Sequence, residues 1–216
     1  MTKERWLQER RSDPYWRKAK EMGLPSRAAF KLMDIQKRYR VVREGDFVLD
    51  LGAAPGGMTA VASEYVGEKG LVVAVDREEV KVRDRKNVVC VNADVFAYNL
   101  HGAIMKASGN RMFDTIISDL SPRHSGDYDL LAVQQLDLLE RTLEIASALL
   151  KRRGNLVVKA FEHPTLRQIE NRMRRMFFQY YRYVPRASKK RSSEIFLIGL
   201  GYRGFYRPRE ASRGRV

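Results

Sequence analysis

The chain has 216 residues, of which 44% are hydrophobic, and it carries a formal charge of +15 with a single cysteine. That length suits one domain with a complete core, and one cysteine excludes a disulfide framework and indicates a reducing compartment. The three histidines lack metal-ligand spacing with the cysteine, so we predict no metal site. No apolar run approaches the length of a membrane span and the N-terminus lacks a signal-peptide core, so we expect a cytoplasmic protein with no membrane partner.

The basic charge is unevenly distributed along the chain. Residues 1–43 contain 13 basic and 5 acidic side chains, residues 44–164 contain 14 and 18, and residues 165–216 contain 14 and 3. The middle of the chain is therefore mildly acidic, while both flanks are strongly basic. This asymmetry predicts a polyanionic partner, and nucleic acid is the polyanion that we expect.

The N-terminal arm, residues 1–24, mixes basic side chains with aromatic ones. The aromatic residues are Trp6, Tyr15 and Trp16. Such an arm can contact phosphates and stack on bases, or its rings can pack it against the domain, and the sequence leaves both options open. We expect one domain at residues 25–202, followed by a basic, flexible tail at residues 203–216 that contains five arginines.

The stretch 47–59, FVLDLGAAPGGMT, predicts a strand, a glycine-rich turn and a helix, which is the first unit of a doubly wound α/β sheet. A helix predicted at 27–39, which contains Lys31, precedes it. Glycines let the backbone approach a ligand closely, and a helix start presents free N–H groups, so the turn predicts a nucleotide-like ligand. The residues expected to bind this ligand are Asp50, Gly52, Pro55, Gly56, Gly57 and Met58.

The turn departs from the Gly-x-Gly-x-x-Gly pattern of dinucleotide-binding folds, because Ala54 occupies the position of the middle glycine. Asp50 also places a carboxylate where a pyrophosphate would bring negative charge. A cationic ligand suits this turn better, and S-adenosylmethionine carries both a sulfonium and an ammonium group. We therefore predict S-adenosylmethionine as the cofactor.

Two further apolar runs end in acids. The runs 70–76 and 88–94 each predict a strand, the second with Cys90 buried inside it. Asp76, about twenty residues beyond the turn, can accept hydrogen bonds from ribose hydroxyls, and Asp94 can meet the adenine edge. An aspartate at a strand end is often only a helix cap. Three aspartates in succession at one edge of a sheet, Asp50, Asp76 and Asp94, nevertheless indicate a ligand site.

The rest of the chain continues the alternation of strands and helices, after a polar segment at 101–111. We predict strands at 114–119, 155–161, 178–184 and 194–202, and helices at 128–150 and 164–178. The predicted fold class is therefore α/β. With the predicted ligand, these seven strands resemble the Rossmann-like, class I S-adenosylmethionine-dependent methyltransferase fold, which implies a mostly parallel seven-stranded sheet whose last strand is antiparallel.

Four charged residues, distant in sequence, are expected at the ligand edge of this sheet. Asp119 and Lys159 fall at or near the carboxyl ends of their strands, and an antiparallel last strand begins at the same edge with Glu194. Lys31 can reach this edge from the helix packed before the first strand. The lysine within the apolar run NLVVKAF is the most unusual of the four, because an unpaired lysine is seldom buried.

The segments SRAAFKLMDI, VLDLGAAPGG, SDLSP, VVKAF and RSSEIFLIG resemble, in this order, the FtsJ/RrmJ family of RNA ribose 2′-O-methyltransferases, from about residue 26 to residue 202. By this resemblance the catalytic residues are Lys31, Asp119, Lys159 and Glu194. The resemblance also implies cofactor contacts at Gly56, Met58, Asp76, Asp94 and Asp119. Bacterial members often carry Trp in place of Met58, so a ring contact there would be lost and a backbone contact kept. The similarity is strongest to archaeal and bacterial members that methylate a uridine of large-subunit ribosomal RNA.

The implied chemistry is an in-line attack of a ribose 2′-oxygen on the sulfonium methyl group, without a metal. Lys159 either accepts the hydroxyl proton or, as an ammonium, stabilises the developing alkoxide, and the sequence leaves both roles open. Asp119 would orient this amine beside the positive end of the cofactor, while Lys31 and Glu194 would position the ribose and the lysine. We expect a monomer that acts on ribosomal RNA or on the large ribosomal subunit.

Two other functions remain open from the sequence. The anticodon loop of tRNA is a competing substrate, because the same four residues serve there in the family. A non-catalytic RNA-binding factor for ribosome assembly is the second, although the presence of all four charged residues counts against it. Cys90 is badly placed as a nucleophile for base methylation, and residues 119–122 lack the second proline and the aromatic residue of amino-group methyltransferases.

Overall fold

The computed structural model describes residues 13–82, 84–122, 128–188 and 193–204. Its helices are α1 (Pro14–Glu21), α2 (Ala28–Tyr39), α3 (Gly57–Val66), α4 (Leu100–Ala107), α5 (Tyr128–Leu149) and α6 (Leu166–Met176). Its strands are β1 (Phe47–Leu51), β2 (Leu71–Asp76), β3 (Val88–Asn92), β4 (Phe113–Ser118), β5 (Leu150–Phe161), β6 (Phe177–Tyr183) and β7 (Glu194–Tyr202). Within these residues, no helix has the length and apolar character needed to cross a membrane.

A seven-stranded sheet with the strand order β3-β2-β1-β4-β5-β7-β6 forms the centre of the molecule. The first five strands in this order pair in parallel, whereas β7 runs antiparallel between β5 and β6. The alternation of strands and helices explains the parallel pairing, because a crossover between parallel strands usually needs a helix. The predicted fold, a mostly parallel sheet with an antiparallel last strand, is confirmed.

Helices cover both faces of the sheet, and each face has its own apolar core. Helices α4, α5 and α6 pack on one face, where Leu100, Leu143 and Ile169 are buried. Helices α2 and α3 pack on the other face, where Leu32 and Val61 are buried. The strand β1 is buried along its whole length, as expected for a parallel strand covered on both faces. The carboxyl ends of the parallel strands therefore open at one edge, which places the candidate site there.

The strand β3 lies at one edge of the sheet, and two predictions about it were wrong. Cys90 is exposed rather than buried, because an edge strand is only partly covered by its neighbours and three of the five residues of β3 are exposed. The strand also ends at Asn92, so Asp94 lies in the loop that follows it rather than within the strand.

Two other element boundaries differ from the predictions. The segment 101–111, to which the sequence analysis assigned only polar character and no helix, contains most of α4, whose Leu100 and Ile104 are buried. Its polar residues and a glycine concealed this apolar spacing. The strand β5 begins at Leu150 rather than at residue 155. Its first residues include the exposed Arg152 and Arg153, which do not fit an apolar strand pattern.

The N-terminal arm contains the helix α1, which the sequence analysis did not predict. The carboxylate of Asp13 caps it by accepting a hydrogen bond from the amide of Tyr15 at 2.9 Å. The ring of Tyr15 lies 5.5 Å from the ring of Phe30 in α2, so this aromatic residue packs the arm against the domain. The other parts of the arm and tail predictions, Trp6, residues 1–12 and residues 205–216, lie outside the described residues.

Candidate active site

A cavity of about 640 Å³ lies at the carboxyl edge of the parallel strands. Its walls come from the loops that follow β1 to β4, from β5, from α2 and α5, and from the first residue of β7. The predicted site residues that line it are Lys31, Gly52, Asp76, Asp94, Asp119, Lys159 and Glu194. The structure thus brings the four predicted catalytic residues into one cavity with three residues of the predicted cofactor site.

Lys159 lies in the otherwise apolar end of β5, and its side chain is only 5% exposed. Its ammonium group donates hydrogen bonds to the main-chain oxygen of Asp119 at 2.7 Å and to the hydroxyl of Ser121. The same nitrogen lies 3.1 Å from the carboxylate oxygen Oδ1 of Asp119. An ammonium group has three N–H donors, and these two hydrogen bonds use two of them, because the contact with Oδ1 is an ion pair without hydrogen-bond geometry. These contacts offset the cost of burying a lysine and hold Nζ at one position.

Asp119 follows β4 directly, and its amide donates a hydrogen bond to the main-chain oxygen of Leu51 at 3.0 Å. Its Oδ1 lies between two lysines, 3.1 Å from Nζ of Lys159 and 3.6 Å from Nζ of Lys31. Burial alone would raise the pKa of Asp119, but the positive charges of Lys159 and Lys31 outweigh burial and hold the pKa below its usual value. Asp119 is therefore a carboxylate at neutral pH.

Lys31 and Glu194 form the second close ion pair of the site. Nζ of Lys31, on α2, lies 2.8 Å from Oε2 of Glu194, the first residue of β7. The other carboxylate oxygen of Glu194 accepts a hydrogen bond from the hydroxyl of Ser188 at 2.8 Å. Because Lys31 also faces Asp119, the four residues form a chain of alternating charge. The order in this chain is Glu194, Lys31, Asp119 and Lys159.

The turn after β1 forms one wall of the cavity. Gly52 has φ +76°, and a Cβ atom at this position would lie 2.9 Å from the amide nitrogen of Leu120. Both the backbone conformation and the close approach therefore require glycine. Asp76 at the end of β2 accepts a hydrogen bond from the amide of Ala54, within this turn, at 2.9 Å. This bond fixes the Asp76 carboxylate at the cavity wall, where its remaining lone pairs can accept further hydrogen bonds.

Asp94 lies farther along the same cavity. Its Oδ1 accepts a hydrogen bond from the amide of Phe96 at 2.9 Å, and its Oδ2 lies 3.4 Å from a guanidinium nitrogen of Arg77. The Arg77 side chain is 53% exposed, so this ion pair is a weak one. The exposed ring of Phe96 also lines the cavity. An acceptor beside an aromatic ring is suited to an adenine, which has an amino group and a flat face.

Asp50, a predicted cofactor residue, does not line this cavity. It is fully buried in β1, where the hydroxyl of Thr59 donates a hydrogen bond to its carboxylate at 2.7 Å. Burial raises the pKa of Asp50 to about 7, and the negative charges of Asp119 and Asp76 act in the same direction, while the Thr59 hydrogen bond opposes them. Asp50 is thus close enough to the two acidic cavity residues to interact with them electrostatically.

Four more predicted cofactor residues lie outside the cavity lining: Pro55, Gly56, Gly57 and Met58. A Cβ atom at Gly56 or Gly57 would collide with neighbouring side chains, so these glycines allow close packing within the protein. Met58 is 2% exposed and belongs to the apolar core shared by α2 and α3. Pro55 lines a separate cavity of about 320 Å³. Cofactor contacts at these four positions stay a prediction.

The structure adds three residues that the sequence analysis did not single out. Ser121 contacts Lys159, and Ser188 contacts Glu194. Arg27 donates a hydrogen bond to the main-chain oxygen of Ala187, beside Ser188. A signal for Ser121 was present, because it lies in the SDLSP segment. Ser188 lies in a basic loop with no such signal.

The cavity suits a nucleoside cofactor with a cationic end. Asp76 and Asp94 provide acceptors for hydroxyl and amino groups, Asp119 provides negative charge beside the lysines, and Gly52 leaves the wall free of a side chain. In the described part of the chain, no three histidine, cysteine or acidic residues are grouped as metal ligands. The strand order and this acidic edge define a class I S-adenosylmethionine-dependent methyltransferase.

The chain belongs to the FtsJ-like methyltransferase family, which matches residues 24–202. It is 38% identical over 200 residues to ribosomal RNA large subunit methyltransferase E of Methanothermobacter thermautotrophicus, covering 93% of this chain and 94% of that protein. It is also 38% identical over 202 residues to the protein of the same name from Methanocaldococcus jannaschii, covering 93% of this chain and 82% of that one.

Solved structures share the fold at lower identity. A crystal structure of a ribosomal RNA methyltransferase from Plasmodium falciparum superposes with a TM-score of 0.73 at 19% identity, covering 83% of this chain and 99% of that one. Fibrillarin of Aeropyrum pernix, solved with bound S-adenosyl-L-methionine, gives a TM-score of 0.55 at 15% identity and covers 80% of this chain and 74% of that one. At these identities the similarity concerns the fold.

Proposed function

We propose that this protein transfers the methyl group of S-adenosylmethionine to a ribose 2′-hydroxyl of RNA, and that the ribose belongs to a uridine of large-subunit ribosomal RNA. The observation that carries the proposal is the alternating chain of four charged side chains at the end of the cavity. The names of the relatives support ribosomal RNA as the substrate. We further propose that the protein acts as a monomer in the cytoplasm.

The cofactor supplies an electrophilic methyl group on its sulfonium. Among the cavity residues, Asp76 would accept hydrogen bonds from the ribose hydroxyls of the cofactor, and Asp94 would accept one from its adenine amino group. Asp119, ionised because two lysines face it, would attract the positive end. These acids would hold the cofactor with its positive end beside Asp119 and Lys159, where the RNA hydroxyl would approach.

Lys159 acts on the attacking 2′-oxygen in our proposal. Two hydrogen-bond acceptors and the Asp119 carboxylate surround Nζ, which leaves one N–H of the ammonium for the 2′-oxygen. An ammonium hydrogen bond to the 2′-oxygen would stabilise the negative charge that develops there as the O–CH₃ bond forms and the S–CH₃ bond breaks. The hydroxyl proton then leaves to solvent through the cavity mouth. Lys31, held by Glu194, would bind the ribose from the other side of Asp119.

The strongly basic flanks support RNA as the substrate, because a polyanion needs cationic contacts outside the cavity. The test is transfer of labelled methyl groups to large ribosomal subunits, free ribosomal RNA and tRNA, followed by nucleoside mapping. We expect label in a 2′-O-methyluridine of large-subunit RNA. Label in tRNA alone would overturn the substrate and keep the reaction. If no RNA became labelled while the cofactor bound, a non-catalytic role would replace the proposal.

A further inference from the structure

A basic and aromatic surface lies at the opposite edge of the sheet from the cavity. Phe178, the second residue of β6, is 56% exposed. The guanidinium carbon of Arg203 lies 4.7 Å from the centre of this ring, and that of Arg153 lies 6.0 Å from it. We name these three residues, with the neighbouring Arg152, the arginine–phenylalanine face.

Several elements bring the face together. Arg152 and Arg153 are exposed near the start of β5, and Arg203 follows the end of β7. The main-chain amide of Arg203 donates a hydrogen bond to the oxygen of Met176 at 2.8 Å, and its Nε donates one to the oxygen of Phe177 at 3.0 Å. The side chain of Arg203 is therefore held in place by backbone contacts rather than by an acid.

In the part of the chain that the structure describes, the arginines of this face lack the acidic partners that other arginines in the same half of the chain have. Arg141, Arg172 and Arg182 each form an ion pair with a glutamate. Among the described residues, by contrast, Arg152, Arg153 and Arg203 make no ion pair with a carboxylate. Two such charges beside one exposed ring, with a third on the adjacent residue Arg152, are suited to an anionic ligand with flat groups. The chain continues beyond this face into residues 205–216, which add four arginines and one glutamate.

We infer that the arginine–phenylalanine face binds the substrate RNA at a second point, with its guanidinium groups on phosphates and a base stacked on Phe178. Arginine binds phosphate with paired donors, and exposed aromatic rings stack on unpaired bases. The inference rests on the function proposed above and deepens it. It commits to RNA as the occupant because the face combines unpaired cations with a single ring, rather than with a broad apolar area.

The distance between this face and the reaction site sets the kind of RNA that can reach both. Arg153 and Lys159 lie on the same strand, six residues apart. At a rise of about 3.3 Å per residue, their Cα atoms are roughly 20 Å apart. An RNA that presents its ribose to Lys159 and contacts Phe178 must therefore span several nucleotides. The face would favour long, folded ribosomal RNA over a short oligonucleotide.

The test compares two variants with equal loss of charge. The first carries Arg152→Ala with Arg153→Gly. Arg153 has φ +66°, so glycine fits its backbone and the fold is retained. The control carries Lys86→Ala with Lys106→Ala, two exposed lysines near the β3 side of the sheet. Affinity for transcribed large-subunit ribosomal RNA is measured against salt concentration for both variants and the wild type, and methyl transfer is measured on the same RNA and on a short oligouridine.

For the variant of the arginine–phenylalanine face we expect RNA affinity to fall roughly 10- to 30-fold near 0.1 M salt. The slope of log affinity against log salt concentration should become shallower by about 1.4, because each lost phosphate contact on single-stranded RNA reduces it by about 0.7. Cofactor affinity and transfer to the oligouridine stay at the wild-type level, and the control loses little. Phe178→Ala lowers affinity with the salt slope unchanged.

Wild-type affinity and slope in the face variant would overturn the inference. The inference would also be overturned if this variant bound free RNA normally but transferred methyl groups poorly to assembled subunits, because the face would then contact ribosomal protein. Failure of the proposed function is a separate result. In that case the wild type itself transfers no methyl group to any RNA, while the binding comparison still decides whether the face holds RNA.

Discussion

Asp119 holds Lys159 on two sides, since the lysine donates to its main-chain oxygen at 2.7 Å and lies 3.1 Å from its carboxylate. The main-chain contact survives any substitution at position 119, whereas the carboxylate contact depends on the side chain. The position of the ammonium and its electrostatic environment are therefore set by separate atoms of one residue.

Replacement of Lys159 by methionine should lower the rate of methyl transfer by roughly 10²- to 10⁴-fold, because it removes the group that stabilises charge on the attacking oxygen. Cofactor affinity should stay near the wild-type value. Single-turnover transfer to ribosomal RNA, together with a separate cofactor-binding titration, measures both quantities.

The matched control is Lys151→Met, in the same strand but paired with Asp114 at 2.8 Å, away from the cavity. It should keep wild-type turnover. Lys159→Arg separates the two chemical roles, because arginine keeps the charge and accepts no proton. We expect it to retain more activity than Lys159→Met. Equal inactivity of the two variants would favour proton acceptance by Lys159.

Ser121 should act as a positioning residue for Lys159. Ser121→Ala removes one of the two hydrogen-bond acceptors of the ammonium, and we expect a loss of roughly tenfold in kcat with an unchanged KM for the cofactor. Ser121→Thr, which restores a hydroxyl, should recover most of this loss. The control is Ser147→Ala, whose hydroxyl donates within α5 at 2.7 Å to Leu143. A parallel fall in kcat and in the unfolding midpoint would indicate a purely structural role instead.

The two glycines Gly52 and Gly102 should respond to alanine in opposite directions. Gly52→Ala forces a side chain into a left-handed conformation against Leu120, so we expect a loss of about 1–3 kcal/mol in unfolding free energy and weaker cofactor binding. Gly102 lies in α4 with open space around it, so Gly102→Ala should stabilise the protein by about 0.5–1 kcal/mol. Denaturant unfolding with and without S-adenosylmethionine measures both effects. Equal stabilities of the two variants would contradict the geometry of the turn.

The buried Asp50 should make the protein less stable as pH rises. Its pKa is raised from 3.8 to about 7 in the folded protein, so between these values the folded state holds a proton that the unfolded chain has released. Stability therefore falls with increasing pH in this window and is level above it. Asp119, whose pKa is lowered, acts in the opposite direction and only at lower pH, where its stabilising charge is lost as pH falls.

The measurement compares wild type and Asp50→Asn by denaturant unfolding at pH 5 and pH 8. The variant should gain about 2–3 kcal/mol relative to wild type between these two conditions, since one pKa unit corresponds to about 1.4 kcal/mol. Thr59→Val removes the hydrogen bond that lowers the pKa of Asp50, so it should extend the pH-dependent window upward. A pH-independent difference between Asp50→Asn and wild type would show that Asp50 does not titrate in this range.

Local sequence patterns predicted well where the strands lie along the chain, because parallel strands covered on both faces need continuous apolar runs. They could not predict where a strand lies in the sheet. Cys90 sits in an apolar run that is indistinguishable from a central strand, and only the pairing of β3 at the sheet edge exposes it. The helix α4 escaped prediction because Gly102 and its polar neighbours interrupt a short apolar pattern.

The sequence predicted those residues of the candidate site that lie at the ends of strands. Asp76, Asp119 and Lys159 follow or end apolar runs, so their meeting at one edge follows from the parallel sheet. The hydrogen bond from Ser188 to Glu194 depends on the path of a loop, which no periodicity records. Asp50 was expected at the ligand; the burial of all of β1 leaves it outside the cavity lining, and its contact with the cofactor stays a prediction.

The position of β7 between β5 and β6 means that the last strand to be synthesised completes the site. Lys31 and Glu194 are separated by 163 positions in the chain. A chain made from its N-terminus completes Lys31, Asp119 and Lys159 well before Glu194, and β6 has no neighbour to pair with until β7 follows it. Contacts between such distant residues also form slowly. Fragments that end before residue 194 therefore lack the carboxylate that pairs with Lys31, and we expect methyl transfer only from chains that include β7.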